Sequence, residues 1–308
     1  MSNYTAAPGA GAKANNEKKP LTKAQLKKRE KRFHTWLRAG IQIVFFILAP
    51  SLFTEAFNGV KSIFLAIAEG EMIAWSDFLT TMVILVIFTM LLGRFFCGYA
   101  CAFGALGDWI YALSDFIQTK LTKKRKKKTR LPDIPVKVQK RLQYIKYILL
   151  LFIVVMCAIG AYSSLSGWSP WDVFSMARSG NLRLGGYIVG FVLLILIILG
   201  MAWKERFFCQ FLCPMGAVFA LLPVLPWTSL RRNKENCIKN CSACEKQCPV
   251  SVGLDVDASR TGECIRCGKC VGTCPKGNIK TGVPKWKGDE WWSVLLEAAS
   301  LLVLVKIL

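Results

Sequence analysis

Apolar residues in this chain gather into four long stretches, roughly 39–57, 78–96, 145–165 and 184–203, and almost all charges lie between them. A helix needs about 20 residues to cross a 30 Å hydrocarbon core. The pattern therefore predicts four transmembrane helices, with Pro50 kinking the first. Helices apolar all round do not sit on the surface of a soluble domain. The segment 291–308 differs. Ser293, Glu297 and Ser300 recur at i, i+4 and i+7, one narrow polar stripe on an otherwise apolar helix. That predicts a helix lying in the interface or packed on the spans, rather than a fifth crossing. Residues 1–34 are polar and basic and predict a disordered cytoplasmic tail with a basic helix start, rather than a cleavable signal peptide.

Composition sharpens this picture. Of the 308 residues 53% are hydrophobic, yet the formal charge is +22, from 41 Lys and Arg against 19 Asp and Glu. Only Lys61, Arg178 and Arg183 fall in the two short loops after the first and third stretches; the other 38 basic residues share the opposite side. The positive-inside rule places both termini and the central loop 123–141 in the cytoplasm of a multi-pass inner-membrane protein. It places the acids Glu55, Glu69, Glu71, Asp77 and Asp172 at or near the outer face. Beside membrane spans, the basic run 123–128 reads as a lipid-facing loop and not a nucleic-acid site. A single histidine, His34, excludes bis-histidine haem and a His-rich zinc or copper centre, and no CxxCH is present for c-type haem.

The chain also repeats itself. Arg94-Phe95-Phe96-Cys97-Gly98-Tyr99-Ala100-Cys101-Ala102-Phe103-Gly104-Ala105 aligns, 112 residues on, with Arg206-Phe207-Phe208-Cys209-Gln210-Phe211-Leu212-Cys213-Pro214-Met215-Gly216-Ala217. Both copies follow the second span of a pair, so the halves run parallel and predict a pseudo-twofold axis along the membrane normal. Arg94 and Arg206 are placed to snorkel to the interface. Cysteines at i and i+4 share a helix face. Two such faces would bring Cys97, Cys101, Cys209 and Cys213 around one point, which suits a shared four-thiolate iron–sulfur or mononuclear metal centre. Thiol redox chemistry and plain packing are the alternatives; Cys157, alone in the third stretch, reads as packing.

Eight of the thirteen cysteines crowd into residues 237–274. Cys264-x2-Cys267-x2-Cys270-x3-Cys274-Pro275 is the bacterial ferredoxin run, and Cys237-x3-Cys241-x2-Cys244-x3-Cys248-Pro249 is the same run widened by one residue. In two-cluster ferredoxins each run lends its fourth cysteine to the other cluster. Cys237, Cys241, Cys244 and Cys274 are thus expected on one 4Fe–4S cluster, and Cys264, Cys267, Cys270 and Cys248 on the second. Gly262, Gly268 and Gly272 leave room for backbone amides near the sulfides. Zinc ribbons use paired CxxC instead.

The expected fold is mainly α: four transmembrane helices as two parallel two-helix repeats, with a small cytoplasmic two-cluster ferredoxin-like α+β domain. The domains run 1–34 (tail), 35–122 (first repeat), 123–141 (basic loop), 142–230 (second repeat), 231–285 (ferredoxin-like) and 286–308 (apolar helix). Trp168, Trp171, Trp203, Trp291 and Trp292 fit an interfacial aromatic belt. Asp108 and Glu205, flanking the motifs, are candidates for handling quinol protons, though acids there are more often simply solvated. The outer loop 167–172 is a weaker candidate for the border of a quinone pocket.

This constellation resembles the membrane ferredoxin subunit of the periplasmic nitrate reductase electron path (NapH type) and related polyferredoxin-like membrane proteins, over about residues 35–280. The resemblance implies electron transfer from membrane quinol to an iron–sulfur, flavin or cytochrome partner protein, with the ferredoxin cysteines as cluster ligands and the paired CxxxC as the family motif. Ala102 stands where that family usually has Pro, and a flavin would have to come from a partner. A cupric-ion reductase and a redox sensor or scaffold are the alternative functions.

Overall fold

The computed structural model describes residues 23–72, 74–125, 134–178, 180, 185–225, 230–233, 235–239, 241–252, 262–281 and 290–307. The tail 1–22, Arg183 and the basic residues Lys126–Lys128 of the central loop lie outside them.

Helix α1 (Lys23–Leu48) ends before Pro50 and α2 (Leu52–Glu69) restarts at 62° to it. Proline lacks the amide that a continuing helix would need. The expected kink in the first apolar stretch is thus a full break. Helix α3 (Asp77–Leu92) packs against α2 and stops at Gly93, whose φ is +71°. A five-residue π-helical turn (Phe96–Ala100) leads into α4 (Ala102–Arg125). The second half repeats this plan with α5 (Val136–Leu142), α6 (Ile145–Ala158), a 3-10 turn (Ala161–Trp168), α7 (Pro170–Arg178), α8 (Ile188–Trp203), α9 (Phe207–Phe211) and α10 (Pro214–Leu221).

Residues Lys137–Ala158 make the one described helix long and apolar enough by itself to cross a membrane. Lys28–Leu48 with Leu52–Glu69 qualify only as a bent pair, and Asp77–Leu92 and Ile188–Trp203 are shorter apolar helices. Their apolar surface is largely uncovered. Ile148, Leu151 and Ile159 on the α6 side, and Ile188, Leu196 and Leu199 on the α8 side, are each more than half exposed.

The centre is aromatic. Phe53 and Phe57 of α2, Phe103 of α4, Trp171 of α7 and Phe208 of α9 pack together, the Phe103 and Phe208 rings 4.5 Å apart and Phe57 and Trp171 5.3 Å apart. Trp171 therefore belongs to the core and not to an interfacial belt; Trp168, Trp203, Trp291 and Trp292 are exposed. Cys157 is a buried thiol, as its isolation suggested.

The cysteine-rich segment folds around a two-stranded antiparallel ladder, β1 (Arg231–Arg232) with β2 (Ile279–Lys280), and two short helices, α11 (Ala243–Lys246) and α12 (Lys269–Thr273). The last helix, α13 (Trp291–Ile307), packs on α1 and α3. Its polar stripe points inward only in part: Ser293 and Glu297 are buried, Ser300 is exposed, and Glu297 accepts from Arg266 at 3.1 Å.

Candidate metal centre

In the ferredoxin-like segment one of the two expected sets of four cysteines comes together at a single place. Cys237, Cys241, Cys244 and Cys274 line one cavity. Polar groups face their sulfurs: the Asn278 amide donates to Cys274 Sγ at 3.3 Å, its side-chain nitrogen to Cys237 Sγ at 3.6 Å, and Arg232 to Cys244 Sγ at 3.7 Å. Around the other set the chain doubles back through positive φ at Arg266 (+50°) and Gly268 (+69°), which directs the Arg266 amide at Cys264. Cys248 meets the amides of Val250 and Val252. Burial first, then the neighbouring Cys267 and Cys264, push the Cys248 thiol up to about 12. Amide donors aimed at cysteine sulfurs suit an iron–sulfur cluster.

The paired motifs meet as well, but not as two simple helices. Cys97 sits on the π-helical turn, and Cys101 ends it in extended conformation. Cys209 lies on α9, and Cys213 caps α10 by accepting from the Gly216 amide at 3.1 Å. All four are buried. Burial raises the Cys213 thiol most, and Cys209, Cys97 and Cys101 raise it further; burial, Cys209 and Cys97 do the same to Cys101. The four sulfurs thus form one electrostatic neighbourhood. Among the described residues no three His, Cys, Asp or Glu side chains converge as they would on a single metal ion. A cubane spreads its ligands more widely than one ion does.

Arg94 and Arg206 do not snorkel. Both are almost wholly buried and cross between the repeats. Arg206 donates to the carbonyls of Cys97 and Gly98 in the other motif, and to its own Cys209 Sγ at 3.9 Å. Arg94 donates to Cys97 Sγ at 3.9 Å and to the Gly262 carbonyl at 3.1 Å. A Cβ on Gly104 would collide with the Arg206 guanidinium, and one on Gly216 would lie 3.2 Å from that of Arg94. Each arginine therefore occupies the space left by the other repeat's glycine. A buried guanidinium keeps its charge, so it must find acceptors inside. The repeated Arg-to-Gly spacing of ten residues was in the sequence; that the pairing is reciprocal was not.

Asp108 anchors this network. It accepts from Arg206 Nε at 2.8 Å and from Arg206 Nη2, Arg38 and Gln42 at 2.6 Å each. Burial would raise its pKa, but Arg206 and then Arg38 outweigh it and hold the carboxyl down at about 2. A carboxylate so saturated does not take quinol protons. Glu205, partly buried and paired with Lys269, is not simply solvated either. Glu263, which sequence reasoning passed over, receives Arg94 at 3.5 Å, Tyr147 at 2.6 Å and Lys146.

A family model described as a 4Fe-4S binding domain matches the chain twice, at residues 77–129 and 186–233. Both matches fall on the two repeats and include their CxxxC motifs. Two uncharacterized proteins of Methanocaldococcus jannaschii are each 28% identical to this chain. One aligns over 65% of this chain and 68% of its own length, the other over 76% and 88%. The putative electron transport protein YccM of Escherichia coli is 28% identical over 65% of this chain and 54% of its own. No solved structure matches. The chain thus carries two matches to a 4Fe-4S binding domain and is similar to a putative electron transport protein.

Proposed function

We propose that this chain is a membrane-bound electron-transfer protein of quinol dehydrogenase type. It would hold two 4Fe–4S clusters on the ferredoxin cysteines and a third iron–sulfur centre on Cys97, Cys101, Cys209 and Cys213. The observation that carries the reading is the meeting of both repeats, each matching a 4Fe-4S binding domain, at four buried cysteines flanked by two buried arginines. Clusters of this kind accept and release single electrons, which suits stepwise oxidation of a two-electron carrier.

The chain's own residues supply position and charge. Arg94 and Arg206 face the motif sulfurs and offset thiolate charge inside a buried site. The Arg266 amide does the same near Cys264. A pocket lined by Thr35, Arg38, Asp108, Glu205, Cys248 and Lys269 joins α1 and α4 to the second ferredoxin set, and fits a quinol head group within reach of a cluster ligand. Four spans, with the ferredoxin segment cytoplasmic, are supported by the exposed apolar faces of α6 and α8 and by the placement of 38 of 41 basic residues. An iron–sulfur, flavin or cytochrome protein would complete the path.

Iron and acid-labile sulfide per chain on anaerobically purified protein test this reading, with EPR after addition of a reduced quinol analogue. More than about eight irons, falling to about eight in the Cys97→Ala/Cys209→Ala variant, is the expected result. About eight in both proteins would remove the third centre. Clusters that quinol cannot reduce, though dithionite can, would remove the quinol role.

A further inference from the structure

The two halves of the molecule match arginine for arginine but not acid for acid. Asp108 holds Arg206 with two bonds. The residue 112 positions after Asp108 is Ala220, so the second half has no carboxylate at the corresponding place. Arg94 nevertheless meets one. Gly262, at φ +61°, lies so close on the Ala220 carbonyl that no Cβ would fit, and the next residue, Glu263, reaches Arg94 at 3.5 Å. The acid missing from the second repeat is thus brought in by the ferredoxin segment. It stands beside Cys264, a ligand expected on the second cluster. Tyr147 and Lys146 fix the same carboxylate from the other side.

We propose that Glu263 is a positioning residue that completes the paired-motif site. Through Glu263, Arg94 and Cys97, the docked ferredoxin loop sets the reduction potential of the centre held by the four motif cysteines. This rests on the reading that those cysteines hold an iron–sulfur centre. Arg94 is oriented over Cys97 by two acceptors, the Gly262 carbonyl and the Glu263 carboxylate, both from one loop. Within a buried site the field of one charge is weakly screened. With the carboxylate present, the guanidinium charge is partly offset; with it gone, more positive potential reaches the sulfurs and the reduced state gains. The centre therefore has its resting potential only when the ferredoxin loop is seated, and an undocked loop leaves it shifted.

The test is a redox titration followed by EPR on the full-length holoprotein and its Glu263→Gln variant. The motif signal is identified as the one lost in Cys97→Ala/Cys209→Ala. At fixed ambient potential, the reduced-to-oxidised ratio of that signal is expected to rise about tenfold in Glu263→Gln, which is 59 mV for a one-electron couple, with iron content unchanged. Because Lys146 would be left without its acid, Glu263→Gln/Lys146→Gln is the second variant; it loses the Lys146 charge along with the carboxylate, so a smaller shift in the same direction is expected. Adding Ala220→Asp to Glu263→Gln places a carboxylate where the first half has one and should reverse the shift. An unchanged motif potential in variants that retain all their iron overturns the inference, as does failure of Ala220→Asp to reverse the shift. If the double cysteine variant loses neither iron nor signal, the underlying reading has failed, and this inference falls with it.

Discussion

At the residue scale, the two buried arginines make small changes costly in a graded way. Gly104→Ala puts a methyl into the Arg206 guanidinium, which is pinned by Asp108 and two carbonyls and has nowhere to move. Gly216→Ala brings its methyl only to 3.2 Å from Arg94. The first substitution should cost several kcal/mol and the second about 1–2 kcal/mol, measured as denaturant midpoints in detergent. Asp108 has a pH signature. Its folded pKa of about 2 lies below the roughly 3.9 of an unfolded aspartate, so its contribution is complete above about pH 4 and disappears as pH falls through 2. Wild type should exceed Asp108→Asn in stability at neutral pH, and the difference should shrink by roughly 2 kcal/mol between pH 4 and 2. The sequence displayed both arginines and both glycines, but not their partners. Asp108 and Arg206 are 98 positions apart and Arg94 and Glu263 are 169 apart, and no local pattern links them.

Elements show a similar division. Of the stripe Ser293, Glu297 and Ser300, the first two face the rest of the molecule and Ser300 does not, although i, i+4, i+7 spacing would put all three on one face. The CxxxC motifs misled in detail. Gly93 ends α3 and Arg206, at φ +60°, precedes α9, so each motif is a turn between helices rather than one helix face. Gly98 shows why the turn matters: a Cβ there would strike the Ile265 carbonyl, so the first motif lies directly against the second ferredoxin run. Gly98→Ala should loosen that contact. The expected outcome is faster proteolysis within the cysteine-rich segment and a perturbed EPR spectrum of its second cluster, while iron content at the first cluster holds.

For the whole molecule, hydropathy alone led to four spans of about 20 residues with the first kinked at Pro50, whereas the described helices differ in length and that stretch is fully broken there. Length was misjudged because apolar residues continue past helix ends into buried turns such as Phe95 and Phe96. The exposed apolar faces carry their own prediction. Leu196→Arg on α8 places a charge on a surface that now shows only hydrocarbon. If lipid covers that face, insertion should suffer by about 2.5–3.5 kcal/mol, seen as a larger fraction extracted by alkaline carbonate. An unchanged fraction would mean that something other than lipid lies against α8.

The crossed placement of Arg94 and Arg206 has a consequence for ancestry. Each half keeps the hole and lends the peg, so neither could have finished its own interior while alone. A single-copy forebear would have needed a twin of itself, and fusion would have converted a homodimer into one polypeptide. The present chain should therefore tolerate division: its two halves, produced together as separate polypeptides cut between residues 126 and 133, should reassemble and co-purify. Arg206→Ala in one piece should prevent that recovery, although the other piece is left untouched.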